Sequence, residues 1–209
     1  MLSACLAATA QADEVAFKQL SLAEATEGLP AKGKLMADIT TSEGKITCEL
    51  FPESAPKTVA SFVGLARGLQ PWKDPKTGKW VTSPFFDGLA FHRVIPEFMI
   101  QGGDPLSREY AGASVGTGGP GYTLPDEIDR TLQFNKPGRL AMANKGAGTN
   151  SGGSQFFITE GRPDGLDFGY AIFGQCDNQD VVKKIARVQR GPRDKPQKPV
   201  TMEVKIYKK

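Results

Sequence analysis

The chain is poor in the residues on which most hydrolytic and metal chemistry depends. It holds a single histidine, His92, in 209 residues. Metal motifs built on paired histidines are therefore excluded. A serine triad would have only His92 as its base. His92 reads instead as a hydrogen-bonded structural residue. Cysteine is scarce as well. Cys5, Cys48 and Cys176 fit no zinc spacing, and an odd count is not a disulfide framework. Cys48 and Cys176, set among apolar neighbours, read as small core hydrophobes. No run approaches the roughly 18 apolar residues of a membrane span, and there is no internal repeat or low-complexity tract. Excess charge of either sign is missing too. Lys and Arg number 26 against 23 Asp and Glu, a net +3, too small and too scattered to argue for nucleic acid or a membrane surface. The basic cluster between Arg187 and Lys198 reads as a solvated loop.

What is present suits one globular domain: 39% hydrophobic and 23% charged residues, in a chain long enough to bury a sizeable core. Residues 1–33 read as an extension with a short helix between Ser21 and Gly28. Its start resembles the end of an export signal. Ala8-Thr9-Ala10 and Ala10-Gln11-Ala12 fit small-residue cleavage sites, and Leu2-Ser3-Ala4-Cys5 resembles a lipobox. The expected location is the periplasm or cell envelope, with Cys5 as a candidate lipid anchor. A basic n-region is missing, so a cytoplasmic protein is the alternative.

From Lys34 the pattern changes. Leu35–Thr40 and Ile46–Phe51 are strand-like runs around Ser42-Glu43-Gly44-Lys45, a hairpin signal. Ala55–Gly68 predicts a helix, with Pro56 in the first turn, Gly68 just past the end, and Val59, Phe62, Val63 and Ala66 on one face. Asp180–Arg187 predicts another. Residues 70–84, with Trp72 and Trp80, read as an inserted loop or small hairpin. The rest is short apolar runs broken by Gly, Pro and Asn. Many short strands and two separated helices predict a closed antiparallel barrel. Gly116–Gly121 lacks the lysine of a phosphate-binding loop and no helix pattern follows, so it reads as a flexible loop, as does Gly146–Gly153.

Side chains alternate faces along a strand. In Phe98-Met99-Ile100-Gln101, Met99 and Gln101 share a face; in Ser154-Gln155-Phe156-Phe157-Ile158, Gln155 and Phe157 do. Phe156 and Ile158 then fill a barrel core, while Met99 and Phe157 line an outer pocket edged by amides. The competing reading is that both faces are simply buried.

These residues also carry a resemblance. Phe91-His92-Arg93-Val94-Ile95-Pro96, Phe98 to Asp104, Leu140 to Asn144, Ser154 to Thr159 and Phe168 to Gly174 resemble, in order, the motifs of the cyclophilin family of peptidyl-prolyl cis-trans isomerases, bacterial type. The resemblance spans residues 34–209. It implies an eight-stranded antiparallel barrel closed by a helix at each end, with an active site on the outer wall. It implies that Arg93 is catalytic and that Phe98, Met99, Phe157 and Leu166 hold a substrate proline ring. Gln101, Ala143, Asn144 and Gln155 would hold the peptide backbone, and Tyr170 falls where many members have histidine. The implied partners are proline-containing peptides and folding proteins, the implied state a monomer. No metal or cofactor is expected, because rotation about an Xaa-Pro bond breaks no covalent bond. Gly165 stands where many members carry a tryptophan that contacts cyclosporin, so weak cyclosporin binding is expected. Lys145 stands where a small residue is usual, in a loop longer than the common spacing. By strand alternation, His92 and Arg93 are expected on opposite faces.

Overall fold

The computed structural model describes residues 16–112 and 114–209. The export and lipid-attachment patterns, Cys5 included, lie outside them. The described chain begins with a strap across the domain. Gln70, fully buried, accepts from the Leu20 N–H at 2.9 Å and donates to the Lys18 carbonyl at 2.8 Å. Helix α1 (Leu22–Ala25) follows, started by a reciprocal cap between Ser21 and Glu24.

The barrel wall is built by alternation. In β1 (Leu35–Thr41) the buried side chains are Leu35, Ala37 and Ile39, and in β2 (Gly44–Leu50) they are Ile46, Cys48 and Leu50. Helix α2 (Pro56–Ala66) has Pro56 in its first turn and Gly68 at φ +70° just beyond its end. Strands β3 (Trp72–Lys73) and β4 (Trp80–Val81) pair as a small separate hairpin, which resolves the 70–84 insertion in favour of a hairpin. Next come β5 (Leu89–Phe91), β6 (Arg93–Ile95), β7 (Met99–Gly102), β8 (Arg139–Met142), β9 (Phe156–Thr159) and β10 (Ile172–Cys176). Helix α3 (Gln179–Ala186) and the long β11 (Val200–Lys208) complete the chain.

Nine strands form one sheet in the order β5-β11-β1-β2-β10-β8-β9-β7-β6. The two ends of that order, β5 and β6, are consecutive in sequence and separated by His92 alone. Counted as one interrupted strand they close the sheet on itself, so the nine segments make the eight walls expected. The lumen is filled. Phe62 of α2 enters it with its ring 4.9–5.6 Å from those of Phe86, Phe156 and Phe173, and Ile158 is fully buried beside them. Helix α3 covers the barrel with Val182 and Ile185.

One sequence reading is corrected here. Cys48 and Cys176 are not separate core thiols: they form a disulfide joining β2 to β10 across 128 residues of sequence. The register places them directly opposite each other. Counting cysteines could not reveal this, because the pairing is made by strand topology.

Candidate active site

The site is set by register across the outer wall. Arg93 of β6 pairs with Gln101 of β7, Gln101 with Phe157 of β9, and Phe157 with Ala141 of β8. Partners in register share a face, so these four form one outward row. Met99 lies two residues from Gln101 on the same face. Ile100 and Ile158 turn inward to the main core, as alternation predicts, while Met99 and Phe157 belong to a second apolar cluster on the outside.

That cluster lines a cavity of about 150 Å³ bounded by Arg93, Phe98, Met99, Gln101, Ala143, Asn144, Phe157, Leu166 and Tyr170. Every sequence-predicted site residue but one therefore meets in a single pocket. The exception, Gln155, lines the adjoining cleft and holds Gln101 by accepting its amide N–H at 3.0 Å. One residue with no sequence signal of function, Phe134, backs the pocket. Phe134, fully buried, stacks on Phe157 at 5.8 Å, and its backbone N–H donates to Asp167 at 2.7 Å. Tyr170 meets the Phe157 ring edge-on at 5.3 Å. Phe157 is thus fixed from two sides before any ligand arrives.

The polar rim is also pre-set. The Asn144 amide is spent on the Gly169 carbonyl at 2.9 Å and Asp126 at 3.2 Å, and its oxygen accepts the Gly146 N–H. Its main-chain N–H and carbonyl, unpartnered among the described residues, are what it can offer to a peptide. Gln155 donates to the carbonyls of Gly116 and Gly118 at 3.1 and 2.8 Å. The buried Asp104 accepts from both N–H groups of the same two residues. The glycine-rich loop, read from sequence as flexible, is thereby tied on both sides of its backbone and lines the cleft beside the pocket.

His92 and Arg93 do not point to opposite faces. The His92 N–H donates to the Gln101 carbonyl at 2.9 Å, and Arg93 is the registered partner of the same Gln101. Two residues oppose one, a β-bulge, and both line one cleft next to the pocket. Alternation resumes at Val94, which is buried in the main core. The His92 ring is 5% exposed, and its Nδ1 has no hydrogen-bond partner among the described residues. Burial pushes its pKa below the usual 6.5, with the nearby Asp104 acting weakly the other way. Arg93 is 41% exposed at its side chain, with Nε 4.0 Å from Asp194. Near neutral pH the rim therefore carries a fixed cation at Arg93 beside a neutral imidazole.

An antiparallel barrel with a filled lumen and an outer apolar pocket, edged by an arginine and main-chain hydrogen-bonding groups, defines a peptide-binding barrel. Comparison with known proteins makes the class definite. The family described as cyclophilin type peptidyl-prolyl cis-trans isomerase/CLD matches residues 36–206. Peptidyl-prolyl cis-trans isomerase A of Mycobacterium tuberculosis is 46% identical over 170 residues, covering 80% of this chain and 88% of that one. Peptidyl-prolyl cis-trans isomerase B of Streptomyces anulatus is 45% identical over 174 residues, covering 81% and 94%. The crystal structure of a Cryptosporidium parvum cyclophilin type peptidyl-prolyl cis-trans isomerase superposes with a TM-score of 0.70 at 29% identity, covering 85% and 99%. A second structure of that protein was determined in the presence of the dipeptide Ala-Pro. The chain belongs to the cyclophilin-type peptidyl-prolyl cis-trans isomerase family, and its activity is rotation about Xaa-Pro peptide bonds.

Proposed function

We propose that the outer pocket holds the proline ring of an Xaa-Pro segment and that Arg93 donates to the prolyl nitrogen as the amide twists. The observation that carries this reading is the outward row Arg93–Gln101–Phe157, with the apolar pocket directly beside it. The planar peptide bond resists rotation by roughly 20 kcal/mol because nitrogen shares its lone pair with the carbonyl. In the twisted state the lone pair is localised on nitrogen. A donor fixed there stabilises the twisted form more than the planar one, which is the condition for catalysis. Arginine is always charged and presents a rigid fork. Phe98, Met99, Phe157 and Leu166 grip the ring, while the main chain at Ala143 and Asn144 and the amides of Gln101 and Gln155 hold the peptide as the carbonyl side rotates. A single donor of this kind supplies about 2.7–4 kcal/mol, and the pocket's grip and exclusion of water supply the remainder. The test is NMR exchange on an Ala-Pro peptide: Arg93→Ala should lose about 10²- to 10³-fold in rate while keeping the wild-type melting curve. A folded Arg93→Ala protein with wild-type turnover would overturn the assignment.

Proline-containing segments of folding proteins are the substrates in this reading. Cyclosporin binds weakly, because Gly165 offers no indole N–H and little apolar surface. A Cβ at Gly165 would meet nothing within 4 Å, so the position can start a side chain, and Gly165→Trp should tighten binding in a titration. Nanomolar affinity of the wild-type protein would refute this.

The proposed location is outside the cytoplasm. The Cys48–Cys176 disulfide supports it, since such bonds persist in oxidising compartments, and so do the small-residue cleavage patterns near Ala10. Fractionation of the source cells checks it, and a cytosolic protein with an intact Met1 contradicts it.

A further inference from the structure

The proline pocket is small, but two larger clefts adjoin it. One, of about 690 Å³, shares Gln101, Ala143 and Asn144 with the pocket and is lined by Lys145. The other, of about 460 Å³, shares Arg93 and Gln101 and is lined by Arg193, Asp194 and Lys195. A peptide with its proline seated in the pocket must lay its flanking residues in these two clefts. The clefts therefore decide which flanks are accepted.

Their charge is one-sided. Among the described residues, Lys145, Arg93, Arg193 and Lys195 line them, and Asp194 is the only carboxylate that does. Asp194 is already engaged, with Oδ1 3.0 Å from Arg190 and Oδ2 4.0 Å from Arg93. The two carboxylates behind the walls are also committed. Asp126 accepts from Asn144 and Asn150, and Asp104 accepts from the backbone N–H groups of Leu106, Gly116 and Gly118. Lys195 is partly used, bonded to the Tyr110 carbonyl and lying 4.4 Å from its ring centroid. Two cations remain uncommitted. Among the described residues, Lys145 Nζ and the Arg193 guanidinium make no ion pair or hydrogen bond, although both side chains are exposed. They line different clefts, Lys145 the larger and Arg193 the smaller.

Resting on the isomerase reading, we propose that this enzyme prefers Xaa-Pro segments flanked by acidic side chains, and that Lys145 and Arg193 are the residues that set the preference. Exposed charges act weakly, with each pair contributing up to about fivefold in an equilibrium and screened by salt. The effect is a selectivity among clients, separate from the rotation step at Arg93.

NMR exchange should be measured on three peptides with an Ala-Pro core and two Glu, two Ala or two Lys residues on each side. The expected order of kcat/KM is Glu above Ala above Lys, with about fivefold or more between the extremes at about 20 mM salt, shrinking toward unity at about 500 mM. K145E and R193E should each narrow the Glu-to-Lys ratio, and the double variant should invert it. Far-UV spectra and melting curves of the variants confirm that they fold. Equal kcat/KM for all three peptides, or a Glu preference that survives in the double variant, overturns this inference and leaves the isomerase reading standing. Failure of the wild-type protein to turn over any of the three overturns both.

Discussion

Arg93 and His92 are sequence neighbours with opposite electrostatic fates, and this separates two mechanisms. An arginine is charged at every working pH, whereas burial makes the His92 imidazole harder to protonate. The rate should therefore be nearly flat between about pH 6 and 8. A histidine-like step in kcat/KM that disappears in His92→Asn would reinstate acid–base chemistry. Stability follows a different rule. A histidine with a depressed folded pKa leaves the unfolded chain binding more protons below its ordinary 6.5. The protein thus loses stability as pH falls from that value toward the folded pKa. Thermal melts of wild type and His92→Asn across that range should show the acid-side loss only in the former. At this scale much was legible. The Met99/Gln101 and Gln155/Phe157 alternation offered an outer pocket against the alternative of two buried faces, and Met99, Gln101 and Phe157 do line one. The bulge at His92 was not legible, because a doubled residue leaves the apolar residues Phe91 and Val94 in place and simply shifts what lies between them.

The loop Gly116–Gly121 is held by more contacts than its composition suggests. Its glycines suggest flexibility, yet Gln155 and Asp104 tie it from inside, and from outside it leans on parts the sequence marks as peripheral. Lys73 of β3 donates its N–H to the Pro120 carbonyl at 2.9 Å. Phe17 of the extension lies with its ring 4.8 Å from Trp80 of β4 and 5.0 Å from Tyr122, and Tyr122 lines the larger cleft. The inserted hairpin and the extension thus brace one wall of the substrate groove. An aromatic contact of this kind is worth about 0.5–1.5 kcal/mol, less here because Phe17 is 42% exposed. Phe17→Ala should raise KM about twofold for a peptide long enough to reach that cleft. It should leave an Ala-Pro dipeptide and the melting temperature nearly unaffected. Equal losses on short and long substrates would argue against a bracing role. No periodicity in residues 16–20 announces this contact, since it is made by tertiary packing alone.

For the molecule as a whole, the barrel was legible because β1, β2 and β11 alternate cleanly and the helix stripes are apolar. The disulfide was not, because nothing local marks two cysteines 128 residues apart as partners. In the chain-entropy picture, closing so long a loop stabilises the folded state by up to about 5 kcal/mol. Reductant should therefore lower the urea midpoint of the wild-type protein and leave the Cys48→Ala/Cys176→Ala double variant unmoved. An unshifted wild-type midpoint would show that the bond adds nothing. The same bridge makes residues 48–176 a covalent ring, and every residue placed in the site, from Arg93 to Tyr170, lies within it. A protease that cuts the exposed loop at Gly146–Asn150 opens the ring without releasing a piece. The nicked enzyme should run as one full-length band without reductant and as two fragments with it, so a clipped molecule keeps both halves of its active site on one covalent frame.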